Sequence, residues 1–518
     1  MIRNKICLLA LGGLFALSAA SVRADDSALL DVLVKKGILT KQEAEKLEVE
    51  VSKEPVAAPQ GPNIKIGDWV QELDLYGDMR FREYYQNFEQ QLPKAPVSNF
   101  DKSIQRQRLR FRLRLDADFK LADNFFGGVQ LSTSDNRNGE TTNATYNGGT
   151  DNYNIYISRA FMGWAPIDGL TFVIGKQNNP FYTTELNWAP DVGPAGIVER
   201  VDFHRLFGWG SGGEPAGYSK EGKEAPPPAP APSGFPLELS LIAGQFIFYN
   251  NNADSSLSFN KTDAFFFDTQ LLARLKLLHN AVTLTFGPQV QIWNNAGLGP
   301  SAVLPGGQPN PATSVTATAP ANTGALGTLN NANPFPIDTR DEFYLQAPGD
   351  ISFKIAGIPV ALYWDTTYNV WGPERFSQVY GPLFDKVSYK AGSSTPIFSG
   401  LVHPTFSDYF GWLAGIKIGQ NKKAGDISVL VDYRQIGLAA ADPNINTDDF
   451  NESFLNAAGW RASIAFNLTD FAVFQVTGWF SNNLSRNLYG GYATSPSLFP
   501  LANANSSQVI AVDLAFKF

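Results

Sequence analysis

Thiol chemistry is all but missing from this 518-residue chain, whose single cysteine, Cys7, lies in an apolar run near its start. That run, Ile6 to Ala20, follows Arg3 and Lys5 and precedes Ser21-Val22-Arg23-Ala24, the charged, apolar and small-residue order of a secretory signal. Cleavage is expected after Ala24. Cys7 then leaves with the signal, too far upstream to be a lipoprotein cysteine, and residues 25 onward hold no thiol for disulfides, zinc–thiolate sites or nucleophilic cysteines. Long apolar runs are the second absence. After the signal no stretch reaches the roughly 18 to 20 residues of a transmembrane helix, so a membrane-spanning form has to be a β-barrel. Positive charge is also short. Losing residues 1–24 takes three cations and no acid from 41 Lys+Arg and 49 Asp+Glu, which leaves a formal charge of −11 and argues against nucleic acid as a partner. Histidine is scarce too. His204 and His403 fall in no recognisable Ser/His/Asp or Asp/His pattern, and His279 falls in an expected turn, so no catalytic residues are assigned.

What the chain does have is a period of two. Arg106, Arg108, Arg110, Arg112, Arg114, Asp116, Asp118 and Lys120 alternate with Leu109, Phe111, Leu113, Leu115, Ala117 and Phe119. A period of two is a strand with one polar and one apolar face. Leu73, Leu75, Met79 and Phe81 alternate in the same way with Asp74, Tyr76, Asp78, Arg80 and Arg82, and Trp460, Ala462, Ile464, Phe466 and Leu468 with Arg461, Ser463, Ala465 and Asn467. In a soluble sandwich the apolar face meets a second sheet; in a membrane barrel it meets lipid while the polar face lines water.

Sixteen such segments are expected, at 70–85, 104–121, 124–135, 151–165, 169–178, 196–206, 235–249, 262–278, 281–294, 341–356, 358–370, 405–420, 425–438, 453–468, 470–482 and 507–518. The segment at 196–206 rests chiefly on parity, because without it the long loop at 295–340 falls on the wrong side. The fold class is therefore all-β, a transmembrane antiparallel β-barrel of about 16 strands with a short N-terminal helical segment. Short links such as Ala122-Asp123, His279-Asn280 and Thr469-Asp470 alternate with long Gly/Pro/Asn-rich loops, as in outer-membrane barrels. A barrel of ~16 to 18 strands leaves an aqueous channel. Its last strand puts Ile510, Val512, Leu514, Phe516 and Phe518 on one face and ends on an aromatic, the pattern read by the barrel-assembly machinery. Aromatic content of 13% suits belts at the two membrane interfaces, with Trp412, Trp460 and Trp479 on or near expected lipid faces.

The expected organisation is a signal peptide (1–24), a periplasmic helical pair (25–51), a linker (52–69) and the barrel (70–518). The helical pair rests on Leu29, Leu30, Leu33 and Val34, a Lys35-Lys36-Gly37 stop and a capping box from Thr40 to Glu43. Its residues leave open a solvated spacer or an envelope tether. The Pro/Ala/Gly-rich stretches at Gly212–Gly234 and Gly297–Asn333 read as low-complexity loops.

Four places resemble the porin family of Gram-negative outer membranes related in architecture to phosphate-selective and general porins. They are Leu29-Leu30-Asp31 through Lys36-Gly37-Ile38-Leu39-Thr40 and Glu43-Ala44; Ser158-Arg159-Ala160-Phe161 leading to Gly175-Lys176-Gln177-Asn178-Asn179-Pro180-Phe181; Trp188 with Asp191, Pro194 and Gly196; and Asp448-Asp449-Phe450 with Asn456 and Gly459. The Pro-rich insert and the 295–340 loop depart from the pattern. The resemblance implies a homotrimer set in outer-membrane lipid and lipopolysaccharide. It also implies a third loop, Asn178 to Glu199, folded into the pore and bearing the constriction acids Glu185, Asp191 and Glu199.

The residues themselves point to one feature of a pore. Arginines at every second position from Arg106 to Arg114 share one face, ~6.8 Å apart at a rise of roughly 3.4 Å per residue. Facing lipid each costs a few kcal/mol near the midplane, so they are placed in the lumen, joined by Arg80 and Arg82 and extended by Arg159 and Lys176. Guanidinium forks suit phosphate and carboxylate oxygens, so the ladder fits an anion-favouring channel. Balanced by acids such as Asp74, Asp78, Asp116 and Asp118, it fits equally a general diffusion pore for small hydrophilic solutes. Asp442, Asn444, Asn446 and Asp448 have calcium-loop spacing, but Pro443 intrudes, the central Gly is missing and Ser453 stands where Glu is needed; no metal or other cofactor is assigned.

Overall fold

The computed structural model describes residues 67–90, 103–135, 141–208, 236–249, 264–294, 342–374, 403–437, 455–484 and 504–518, with shorter pieces at 303–304, 308–309, 384–389, 396–401, 439–442, 445–447 and 449–451. The signal, the helical pair, most of the linker, the Gly212–Gly234 stretch and all but 303–304 and 308–309 of the Gly297–Asn333 stretch lie outside the described residues.

The chain folds into a closed antiparallel barrel of sixteen strands. In order they are β1 (Val70–Gln90), β2 (Ser103–Leu121), β3 (Phe125–Thr133), β4 (Ile155–Ile167), β5 (Leu170–Lys176), β6 (Ala195–Asp202), β7 (Leu237–Tyr249) and β8 (Ala264–Leu277). There follow β9 (Val282–Phe286 and Gln289–Asn294), β10 (Glu342–Gln346 and Gly349–Ile355), β11 (Ile358–Asn369), β12 (Phe410–Gly419), β13 (Ile427–Ile436), β14 (Ala457–Asn467), β15 (Ala472–Asn483) and β16 (Ala504–Lys517). β9 and β10 are each broken by a proline, Pro288 and Pro348, which have no N–H for the ladder. Their carbonyls still accept, from Leu271 at 3.0 Å and Gly287 at 2.9 Å, so the wall stays continuous.

Closure runs from Asp78 opposite Lys517 to Gln90 opposite Ala504. Phe518 finishes it, exchanging backbone hydrogen bonds of 2.8 and 3.0 Å with Gly77. A Cβ at residue 77 would stand 2.5 Å from the Arg114 carbonyl and 2.8 Å from the Phe518 ring, so only glycine lets the terminal aromatic lie flat on the seam. Phe518 thus has a structural role in closing the barrel.

Alternation sorts the two faces. Leu75, Leu109, Leu115, Ile157, Ile174, Trp460 and Ile464 are exposed on the outside, an apolar belt too large for a water-facing surface. Trp412, Tyr433 and Trp460 cluster on that outer face toward the long-loop end, with ring centroids 5.4 and 4.9 Å apart, and Phe125, Trp164 and Phe172 stack toward the other end. Trp479 is the exception to the expected aromatic belt. It is buried on the inner face, because its register partner is Arg461 and not Trp460. No helix among the described residues is long and apolar enough to cross a membrane.

Short turns gather at one end and take left-handed backbone to reverse the chain: Asp123 and Asn124, Leu278 to Asn280, Ala356 and Gly357. β6 ends at the same rim, where the Asp202 amide donates to the Gly169 carbonyl at 2.7 Å. The segment expected at 196–206 is therefore a strand only to Asp202. Phe203–Leu206 is a helical turn, held by an Arg205–Asp168 ion pair at 2.9 Å. The Pro-rich insert accordingly leaves from the short-turn end, which its length alone would not suggest.

Candidate channel constriction

β5 is short because Gly175 turns the chain inward with φ of 120°, and a Cβ there would lie 2.4 Å from the Ala160 carbonyl. The loop that follows, residues 177–194, crosses the lumen. Its first half docks on the wall opposite β1. The Tyr182 amide donates to Gln270 and its hydroxyl to Asp350, at 2.8 and 2.6 Å, while Thr184 donates through N–H and hydroxyl to Asp365, at 3.2 and 2.8 Å. Beneath it Phe181 and Trp188 pack with Phe161, Val173, Val198, Ile242, Phe246, Phe266, Trp293 and Tyr344. This half of the lumen is filled by side chains.

A second segment folds inward beside it, between β13 and β14. Ala439, Ala440, Asn446, Phe450 and Asn451 are buried. Asn369 and Thr367 on β11 donate to the carbonyls of Ala439 and Ala440, both at 2.8 Å, and Arg434 lies 4.8 Å over the Phe450 ring. The two loops are joined where Ala189 N–H donates to the Ile445 carbonyl at 2.6 Å. This second in-folded loop contains the calcium-like spacing. No group of three or more metal-ligating side chains is found among the described residues.

Between these loops and the wall of β1, β2 and β13–β16 remains a cavity of about 380 Å³. Six cations line it, Arg80, Arg82, Arg112, Arg114, Arg461 and Lys517, against four carboxylates, Glu185, Asp191, Asp449 and Asp513. Most are paired. Arg82 forks onto Asp513 at 2.7 and 3.0 Å and reaches Asp449 at 3.1 Å. Arg112 and Arg114 converge on Asp78 at 2.8 and 2.6 Å, with Asp191 at 3.8 and 3.9 Å. Arg461 binds Asp432 at 2.5 Å and also Glu185, which Arg434 reaches at 3.3 Å. Asp191, on the loop, also accepts from the Thr142 amide and hydroxyl at 3.2 and 3.0 Å. Burial alone would raise its carboxyl, but Arg112, Arg114, Arg80 and the Thr142 amide outweigh burial and hold it well below the usual carboxylate range.

The nine cations expected along the pore therefore divide. Arg80, Arg82, Arg112 and Arg114 line the cavity. Arg106 and Arg108 share their inward face nearer the long-loop end, with Arg108 4.8 Å over the Tyr84 ring. Arg110 is 2% exposed and packed on Tyr84 at 5.8 Å, where the short strand Ala144–Thr145 pairs along β2 at Arg110 and Phe111. Arg159 is likewise buried, spent on Asp116 at 2.6 Å and Asp118 at 3.0 Å. Lys176 shares the parity of outward-facing Met162 and Ile174, and its ammonium donates to the Gly193 carbonyl at 2.7 Å. Of the loop acids, Glu185 and Asp191 reach the cavity. Glu199 does not, since it lies on β6 with the outward parity of Ile197. Arg461, Asp432, Asp449, Asp513 and Lys517 were not singled out from sequence. For Arg461, Asp432, Asp513 and Lys517 the signal was a single inward position on an alternating strand, without the repetition that made the β2 run conspicuous, and Asp449 lies in the second in-folded loop.

A family model described as "Putative porin" matches residues 84–295. It covers β2 to β9, including the in-folded loop and the arginine run. Three solved porin and channel structures are also similar. Salmonella typhi OmpF has 10% identity and a TM-score of 0.40 over 86% of this chain and 97% of its own. Pseudomonas putida OprB has 9% and 0.42 over 86% and 94%, and the outer membrane channel DcaP of Acinetobacter baumannii has 10% and 0.34 over 86% and 97%. No curated protein matches the chain.

Proposed function

We propose that this porin barrel is a passive, water-filled channel for small hydrophilic solutes across an outer membrane, with a modest preference for anions set at the constriction. The observation that supports it is the lining of the cavity: a polar passage bounded by two in-folded loops, with six cations against four carboxylates, and with Asp78 and Asp432 paired to Arg112, Arg114 and Arg461 from behind. In a narrow, low-dielectric passage a small excess of one sign raises the local concentration of the opposite ion. The preference is modest because paired guanidinium and carboxylate groups screen each other, as Arg82, Arg112 and Arg114 do with Asp513 and Asp78, so the excess falls chiefly to Arg80 and Lys517. Exported after Ala24 and assembled as a homotrimer in lipid and lipopolysaccharide by the barrel-assembly machinery, the chain would present three such passages.

Planar-bilayer recording of the purified protein across a potassium chloride gradient tests this. Stepwise conductance with an anion-signed reversal potential is expected. Steps with a cation-signed or zero reversal would leave the channel and remove the preference, and folded protein without steps would remove both.

A further inference from the structure

Resting on the channel reading above, the geometry points to one oxyanion-binding subsite inside the constriction, centred on Arg80, with Arg112, Lys517 and the Ser463–Gln475–Thr477 row as its other walls. Arg80 stands directly opposite Arg112 in the β1–β2 register. Like charges opposite one another on neighbouring strands repel, so the pair needs a counter-charge. Arg112 has one, since Asp78 is 2.8 Å away. Arg80 does not have one to itself. Its nearest carboxylate, Asp513, is 3.9 Å distant and already held by both prongs of Arg82. Its Nη2 donates to the neutral Asn143 side chain at 2.6 Å, and its Nε is buried with no partner. An unmet N–H on a buried guanidinium is costly, and a forked oxyanion satisfies it.

The surroundings leave room for such a guest. The residue opposite Arg80 on β16 is Ala515, too small to reach into the lumen. One inward step along, Lys517 is exposed and carries no ion pair among the described residues. Farther along the same wall, Gln475 and Thr477 on β15 and Ser463 on β14 hydrogen-bond to one another at 2.9 to 3.1 Å. The Gln475 amide donates to both hydroxyls and one hydroxyl donates to the other, so the row keeps one hydroxyl proton as a neutral donor without another charge. Forked and point cations with a neutral donor beside them suit a carboxylate or a phosphate, the chemistry the two share being paired anionic oxygens. Arg82 and Arg114, each bound to a carboxylate within 2.7 Å, hold the wall in place.

The test is block of chloride current. Single-channel current in potassium chloride is recorded while inorganic phosphate, or in a separate series acetate, is added. Saturating block by at least one is expected, and which blocks at lower concentration identifies the oxyanion the site prefers. Arg80→Gln is expected to raise the half-blocking concentration about tenfold. Arg80→Lys should recover part of the loss, because it restores the charge without the fork. Lys517→Gln should raise it about two- to threefold. Conducting Arg80→Gln channels with unchanged block would overturn the subsite and leave the channel standing, as would wild-type channels that conduct but never saturate. If Arg80→Gln does not insert, Lys517→Gln decides, and unchanged block in that variant overturns the proposal. Absence of conductance in wild-type protein would overturn the channel reading itself.

Discussion

The two halves of the lumen are built from the same alternating strands and end in opposite states. On the β7–β11 side the in-folded loop lies over Phe246, Phe266, Trp293 and Tyr344, all buried, and its hydrogen bonds end on buried Asp365 and Gln270. On the β1–β2 and β13–β16 side the inward positions are arginines and carboxylates, and a cavity remains. Apolar inward residues draw the loop down and expel water. Charged ones keep hydration and hold the loop off through ion pairs. One loop therefore serves as a plug where it meets rings and as a rim where it meets guanidinium groups. Variants in the first half should change stability and pore size, and those in the second ion preference.

The largest effect expected is from Trp188→Ala. Its indole is 3% exposed, stacks 5.9 Å from Phe266 and donates to the Val192 carbonyl at 2.8 Å. Truncating a buried Trp costs about 3–5 kcal/mol. The loop should lift from the wall, so single-channel conductance should rise while the heat-resistant band on gels shifts to lower temperature. A reversal potential that moved with conductance unchanged would contradict the division into halves. Asp432→Asn comes next. Asp432 is 1% exposed between Arg461, Arg434 and the Tyr363 hydroxyl, and leaving buried cations short of a partner costs about 3 kcal/mol, less whatever Glu185 recovers. Here the reversal potential should shift toward stronger anion preference at nearly constant conductance.

The sixteen strands were legible because each alternates within itself. β2 needs only its own residues to show which face carries arginine, and even the strand at 195–202, argued from parity, is where the count required it. The plug was not legible. Trp188 and Phe181 sit in an aperiodic loop, and their partners Phe246, Phe266 and Trp293 look like ordinary lumen positions until the loop covers them. Nor was the second in-folded loop, since its contacts, Ile445 with Ala189 and Ala439 with Asn369, join residues far apart in sequence. Burial of Arg110 depends on where Ala144 and Thr145 pair, which no spacing encodes. Glu199 was assigned to the loop because an acid following a loop motif carries no mark of which way its strand faces.

Acid should act on the open half through Asp191. Asp191 has its carboxyl depressed by folding, so its contribution is present above the unfolded value near ~3.9 and is lost as pH falls through the lower folded value. The share of the reversal potential set by Asp191 should be constant from neutral pH to about 4 and change only below it. Asp191→Asn should show the acid form's values at every pH. A midpoint near neutrality in wild-type channels would assign the titration to another group.

The smallest effect is expected at the short-turn rim, where Lys423 meets Asp470 at 3.0 Å with both side chains largely exposed. Water and salt screen such a pair, so losing one partner of it moves little. The turn does not need the lysine, because the Ala424 amide donates to Asp470 at 2.7 Å. Lys423→Ala should leave conductance, reversal potential and thermal resistance unchanged within error. A shifted reversal potential would mean that ion preference is decided at the mouth on the turn side, and the contrast between the two halves of the lumen would then describe packing without describing selectivity.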